Sequence, residues 1–150
     1  KFTFYLHNTV YNQDSFNSMY GLPPNIRKKN ISFPNPFNFG VTNTFDDPLT
    51  SGPSINSAPL GQPQGFHLLD SFNEYMLFHV FTANITVGDY TGTIAILRQV
   101  REVDSVRYLT VIGGTGAFLG ARGVATNRLI DIHHTPPAKW TMSFELDLYY

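Results

Sequence analysis

The chain has 150 residues, a formal net charge of −1, 14% charged residues and no cysteine. A nucleic-acid binder would carry a basic face, and neither the balance of charge nor any basic run supplies one. The absence of cysteine excludes a disulfide or a thiolate metal site within these residues.

Length favours one domain spanning residues 1–150, large enough to bury a core. No apolar run approaches the ~18–20 residues of a membrane helix, so no membrane partner is expected. Lys1 opens directly into a strand pattern, so a mature chain whose leader lies upstream is expected. The sequons Asn30-Ile31-Ser32 and Asn84-Ile85-Thr86 are candidate glycosylation sites and point to a secretory route.

Period-2 alternation dominates the chain. Lys1–Val10 sets Phe2, Phe4 and Leu6 against Thr3, Tyr5 and His7. Further strands are expected over Gly40–Phe45, Gly65–Asp70, Glu74–Thr82, Tyr90–Arg98, Val106–Ile112 and Ala121–His133. A last strand alternates Trp140, Met142, Phe144, Leu146 and Leu148 with polar residues. Turn chemistry separates them: Asn73, Gly88-Asp89, Asp104-Ser105 and Pro136-Pro137. The expected fold is all-β, an eight-stranded antiparallel β-barrel whose closure removes exposed edges and leaves a central pocket.

Glu74–Thr82 is apolar on both faces, which calls for cover outside the barrel as well as inside. Oligomerisation is the simplest source. The long connections Tyr11–Phe39 and Asp47–Pro63, rich in Pro, Asn, Ser and Gly, are expected to frame the barrel mouth. The first of them carries Arg27-Lys28-Lys29, read as a solvated loop patch.

Five of the twelve glycines fall between Gly113 and Gly123. This is not a dinucleotide fingerprint: Leu119 stands where Gly or Ala is needed, and no Gly-Lys-Ser/Thr triplet exists for a phosphate loop. A tight connection between two strands, with Arg122 opening the second, fits better.

Four motifs in order, Phe4-Tyr5-Leu6-His7-Asn8-Thr9, Phe45-Asp46-Asp47-Pro48-Leu49-Thr50, Gly61-Gln62-Pro63-Gln64-Gly65-Phe66 and Val111–Thr126, resemble the plant dirigent family across the chain. The resemblance implies an eight-stranded barrel, usually a homotrimer, secreted to the apoplast and cell wall. It implies no cofactor or metal. Members bind small phenolic substrates and direct the coupling of phenoxy radicals, made by a separate laccase or peroxidase, towards lignans. A related branch, the pterocarpan synthases, dehydrates an isoflavanol through a quinone methide and closes a ring. A non-catalytic cell-wall or defence role is the third possibility. The family's paired terminal cysteines have no counterpart in these residues.

Quinone-methide chemistry needs proton transfer beside a phenolic oxygen. At the two aspartate positions that the resemblance implies, this chain carries Asn8 and Tyr108. Asn8 can only hydrogen-bond; Tyr108 could act as a weak acid if its pKa were shifted. Arg122 matches the family's pocket arginine, with a structural ion pair to Asp46 or Asp47 as the alternative. Asp46 and Asp47 are read as turn-capping groups with a substrate role in second place. A tyrosine that the resemblance implies two residues after Phe66 is altered in the run Gly65-Phe66-His67-Leu68-Leu69-Asp70; His67, Phe66 and Phe118 complete the expected pocket. His7 and His79 are read as structural. His133, His134 and Asp131 give only a weak hint of a metal site.

Overall fold

The computed structural model describes residues 1–10, 18–21, 39–135 and 137–150. The basic patch, the Asn30 sequon and most of the 11–39 connection lie outside the described residues. Ten strands follow in chain order: β1 (Phe2–Val10), β2 (Ser18–Gly21), β3 (Thr42–Asp46), β4 (Leu49–Thr50), β5 (Pro59–Leu69), β6 (Met76–Val87), β7 (Tyr90–Arg101), β8 (Val106–Gly114), β9 (Arg122–His133) and β10 (Ala138–Tyr149).

The sheet closes. Strands run β5, β4, β1, β10, β9, β8, β7, β6 around the ring, and β6 pairs back onto β5. β3 and β4 are one stave broken at Asp47-Pro48, since both pair with β5, and β2 adds to the free edge of β3. The result is the expected eight-stave antiparallel barrel.

The alternation seen in the sequence becomes an inside and an outside. On β6, Leu77, His79, Phe81, Ala83 and Ile85 are buried, while their neighbours are half-buried or exposed. The interior is graded along its length. One end is filled by Phe4, Phe81, Phe144, Ile94, Ile96, Val111 and Leu146. There Phe4 stacks on Phe144 at 5.3 Å between centroids, and Phe81 meets Phe144 edge-on at 5.6 Å. Towards the other end the same inward rows turn polar: Asn8 on β1, Asn43 on β3, His67 on β5, His79 on β6 and Arg107 on β8.

Several boundaries differ from expectation, two of them by five residues or more. β5 begins at Pro59 rather than Gly65, so part of the expected 47–63 loop is strand. Pro63 can sit there because it faces the break between β3 and β4: it needs no N–H, and its carbonyl accepts the Asp47 N–H at 3.1 Å. Likewise β6 continues past Thr82 to Val87, pairing with β7 to Tyr90.

The glycine cluster is a close-packed corner. β8 ends at Gly114, a single 3-10 turn spans Gly116–Phe118, and Phe118 is buried beside Phe2. Two backbones touch here. A Cβ on Gly92 would lie 2.0 Å from the Thr115 carbonyl oxygen, and one on Gly116, where φ is +60°, would lie 2.5 Å from that of Thr91. Gly113 has open space around its Cβ position. Accordingly, Gly92→Ala is expected to destabilise the fold by about 1–3 kcal/mol, and Gly113→Ala by less than about 0.5 kcal/mol. Urea denaturation of the two variants checks this contrast.

Candidate functional site

The polar end of the barrel encloses a cavity of about 290 Å³. This is near the lower limit of the roughly 300–1,000 Å³ typical of small-molecule sites. Trp140, Met142, Ile132, Leu69, Leu77 and Tyr75 supply apolar surface; Asn8, Asn43, His67, His79, Glu102, Arg107 and His134 supply polar groups.

Arg107 dominates the electrostatics. Strand parity puts it on the inward row with Leu109 and Val111, and its side chain is 3% exposed. Its Nη1 donates to Glu102 Oε2 at 2.6 Å. Glu102 comes from the β7–β8 turn, where its N–H donates to the Tyr75 carbonyl at 2.9 Å. Burial pushes the Glu102 carboxyl above the usual range, against the opposing pull of the guanidinium. Nε of Arg107 has no hydrogen-bond partner among the described residues. The cavity wall therefore holds a fixed cation beside an acid that is easier to keep protonated than an ordinary glutamic acid.

Across the interior, Asn8 donates from Nδ2 to Asp47 Oδ2 at 2.7 Å. Asp47 is fully buried at the β3–β4 break, and burial raises its pKa to about 7. A carboxylic acid thus stands one layer behind Asn8. His67 and His79 meet inside the barrel, and burial together with the Arg107 charge lowers both, His67 to about 4. The rings are neutral at physiological pH.

The residues expected from the sequence divide by face. Asn8 and His67 line the cavity, and Asp47 lies directly behind Asn8. Arg122 does not reach it. It opens β9 on the exposed row with Val124, at the far end opposite Tyr149, while Gly123, Ala125 and Asn127 point inward. Because that inward row is small or polar, the sequence does not advertise it as the core row. Tyr108, one residue from Arg107, points outward and is 55% exposed. Phe66 is half-buried on the outer row of β5, and Phe118 is buried under the glycine corner away from the cavity. Asp46 accepts from Gln62 and Gln64 rather than facing the cavity or pairing with Arg122. Asn84 is exposed on β6. His133 turns out to Asp131 at 3.0 Å, whereas its neighbour His134 turns in. No group of three metal-ligating side chains is found among the described residues. Sequence reasoning missed Arg107, Glu102 and the inward role of His79. The available signal was parity: Arg107 shares its phase with Leu109 and Val111.

Two measurable consequences follow from these buried charges. The folded pKa of Asp47 exceeds its ordinary value of 3.8. Between pH 4 and 7 the native state therefore holds a proton that the unfolded chain has released, and stability falls as pH rises. Thermal melts should show this slope flattened in Asp47→Asn. Removing one partner of the Arg107–Glu102 pair strands the other. Glu102 keeps partial solvent access, with 31% exposure. The loss in Glu102→Gln should therefore lie between the ~1 kcal/mol of an exposed pair and the ~3–5 kcal/mol of a buried one, read by urea denaturation.

With this geometry in view, the comparisons with known proteins agree. The dirigent-like protein family profile matches residues 1–149. Pterocarpan synthase 1 of Glycine max is 40% identical over 99 residues, covering 65% of this chain and 53% of that protein. Dirigent protein 1 of Arabidopsis thaliana is 41% identical over 88 residues, covering 58% of this chain and 48% of that protein. The chain thus spans about half the length of these curated relatives. The solved structure of a pterocarpan synthase dirigent protein superposes with a TM-score of 0.80 at 27% identity, covering 99% of this chain and 92% of that one. The closed barrel and the profile match together place the chain in the dirigent family.

Proposed function

We propose that the barrel cavity binds one phenolic molecule and stabilises it as a quinone methide, directing the face on which it is trapped, as in the pterocarpan-synthase branch. The observation that carries this reading is the Arg107–Glu102 pair in the wall of a pocket of one-molecule size that also has apolar walls. In the dehydration step the benzylic C–O bond of an isoflavanol breaks. Glu102 gives its proton to the departing hydroxyl, which leaves as water, and the phenolic proton returns to the Glu102 carboxylate. Negative charge gathering on the phenolic oxygen is met by Arg107. Ring closure then adds a second phenol oxygen to the methide carbon, and that phenol's proton passes to the carbonyl oxygen. The apolar walls fix the reacting faces and so remove entropy from the barrier.

Asn8 supports a second reading. An amide stands at a position where the family resemblance implies an acid, and radical coupling needs no acid. On this reading the same pocket orients a phenylpropanoid-derived radical made by an external laccase or peroxidase, and catalysis is positional. Secretion to the cell wall and a homotrimeric assembly belong to both readings. Among the described residues no helix is long and apolar enough to cross a membrane. The half-buried outward row Phe66, Val80 and Leu97, with Phe78 beside it, offers an apolar strip for a second copy.

Isoflavanol supplied without oxidant should give one pterocarpan enantiomer on chiral chromatography; unchanged substrate would rule out the dehydratase. Coniferyl alcohol with a laccase tests the second reading, which a racemic lignan would exclude for that substrate. For the dehydratase, Arg107→Met should lower kcat/KM about a hundredfold or more, and wild-type activity should fall as pH rises through the raised pKa of Glu102. Sedimentation equilibrium should return the mass of three chains, and a monomer would remove the trimer.

A further inference from the structure

His67 on β5 and His79 on β6 are directly opposite in register and meet inside the barrel. Their Nδ1 atoms are 2.9 Å apart, and the rings are edge-on with centroids 4.3 Å apart. At that separation one Nδ1 must donate and the other accept, because two N–H groups would clash and two lone pairs would repel. A neutral imidazole carries a single N–H, so the pair has two arrangements. Either His79 donates and His67 carries its proton on Nε2, or the reverse holds.

The surroundings choose between them. His79 Nε2 is sealed from solvent and has no partner among the described residues. In the reverse arrangement that atom would be a buried N–H with no acceptor, a costlier orphan than an unused lone pair. The Arg107 charge acts on both rings and helps to keep each of them neutral. The other groups around the pair are Arg98, the register partner of His79 on β7, Glu102 from the β7–β8 turn, Asn43 opposite His67 on β3, Asn8 on β1 and His134 after β9. His67 is further held by stacking on Phe45 at 4.8 Å, and it lines the cavity.

We infer that His79 locks His67 in the Nε2–H tautomer, so that the cavity wall offers a fixed donor that selects ligands bearing an acceptor oxygen, a carbonyl above all. The inference rests on the reading of the cavity as the ligand site, and it adds a specificity-determining residue to that site. A donor that cannot become an acceptor rejects the same skeleton without the oxygen, since the N–H would lose water and gain nothing. The oxygen on the benzylic carbon of an isoflavanol, or the carbonyl at the same carbon of an isoflavanone, satisfies the requirement. Arg107 supplies charge, and His67 supplies direction.

Nitrogen-15 NMR on the ligand-free protein reads the tautomers without any substrate. The expected result is Nε2–H on His67 and Nδ1–H on His79, unchanged from pH 5.5 to 8. The opposite assignment, or a protonated ring in that window, would overturn the lock. Calorimetry with an isoflavanone and the matching isoflavan, which lacks the carbonyl, tests the selection. The wild type should prefer the isoflavanone about tenfold. That preference should vanish in His67→Phe and return in part in His67→Gln, whose amide can donate. His79→Phe should weaken it, because His67 then exchanges tautomers freely. A preference that survives His67→Phe overturns the selection. Failure of both probes to bind, with the tautomers as assigned, overturns the ligand reading of the cavity and leaves the lock standing.

Discussion

Closure of the sheet between β5 and β6 is the constraint from which the rest of the structure descends. Once β6 is tied to β5 on one side and β7 on the other, no strand can slip by one residue without turning its whole inward row outside. The register decides that Leu77, His79, Phe81, Ala83 and Ile85 face in. Through β7 and β8 it also decides that Arg107 is buried while Tyr108 is exposed. The glycine corner serves this closure: it lets β8 end and β9 begin in contact with β7 while Phe118 fills the space beneath.

An eight-stave barrel has little interior, and this one uses its length unevenly. Phenylalanine and branched aliphatic side chains pack one end solid, so the site is confined to the other. There β1, β3, β5, β6 and β8 each contribute a polar inward residue. Polar groups gathered in such a volume pull one another off their ordinary protonation. The carboxyls of Asp47 and Glu102 rise, and the histidines fall. The cause is shared: removing water penalises every charged form, and for Glu102 the Arg107 partner offsets only part of that penalty. Arg107 finds that partner in Glu102 at the rim, where some solvent remains.

Much of the fold was legible before the structure. Alternation in the sequence is plain in β1 and β10, and the Asn73 and Gly88-Asp89 turns fall where the chain reverses. The boundaries that escaped notice are instructive. β5 starts at Pro59 because its prolines and glycines sit against a broken neighbour and a closely approaching one, contacts that composition cannot reveal. The site was less legible. Asn8, His67 and Asp47 were singled out and lie at or behind the cavity wall, whereas Arg122, Tyr108, Phe66 and Phe118 were singled out and lie elsewhere. For Arg122 the cause is physical: Gly123, Ala125 and Asn127 form an inward row too small or too polar to look like a core, so apolarity misstates the parity.

By itself the sequence determined that this chain makes an all-β barrel of the dirigent family. Period-2 alternation, turn residues and four ordered motifs are local properties, and each constrains only its own neighbourhood. Only the tertiary structure decided which polar residues share the interior, because that depends on strand register accumulated around a closed ring. Arg107 and Glu102 are five residues apart across a turn. His67 and His79 are brought together only by the β5–β6 pairing. Their altered protonation is a property of the space they enclose, and no single stretch of the chain contains it.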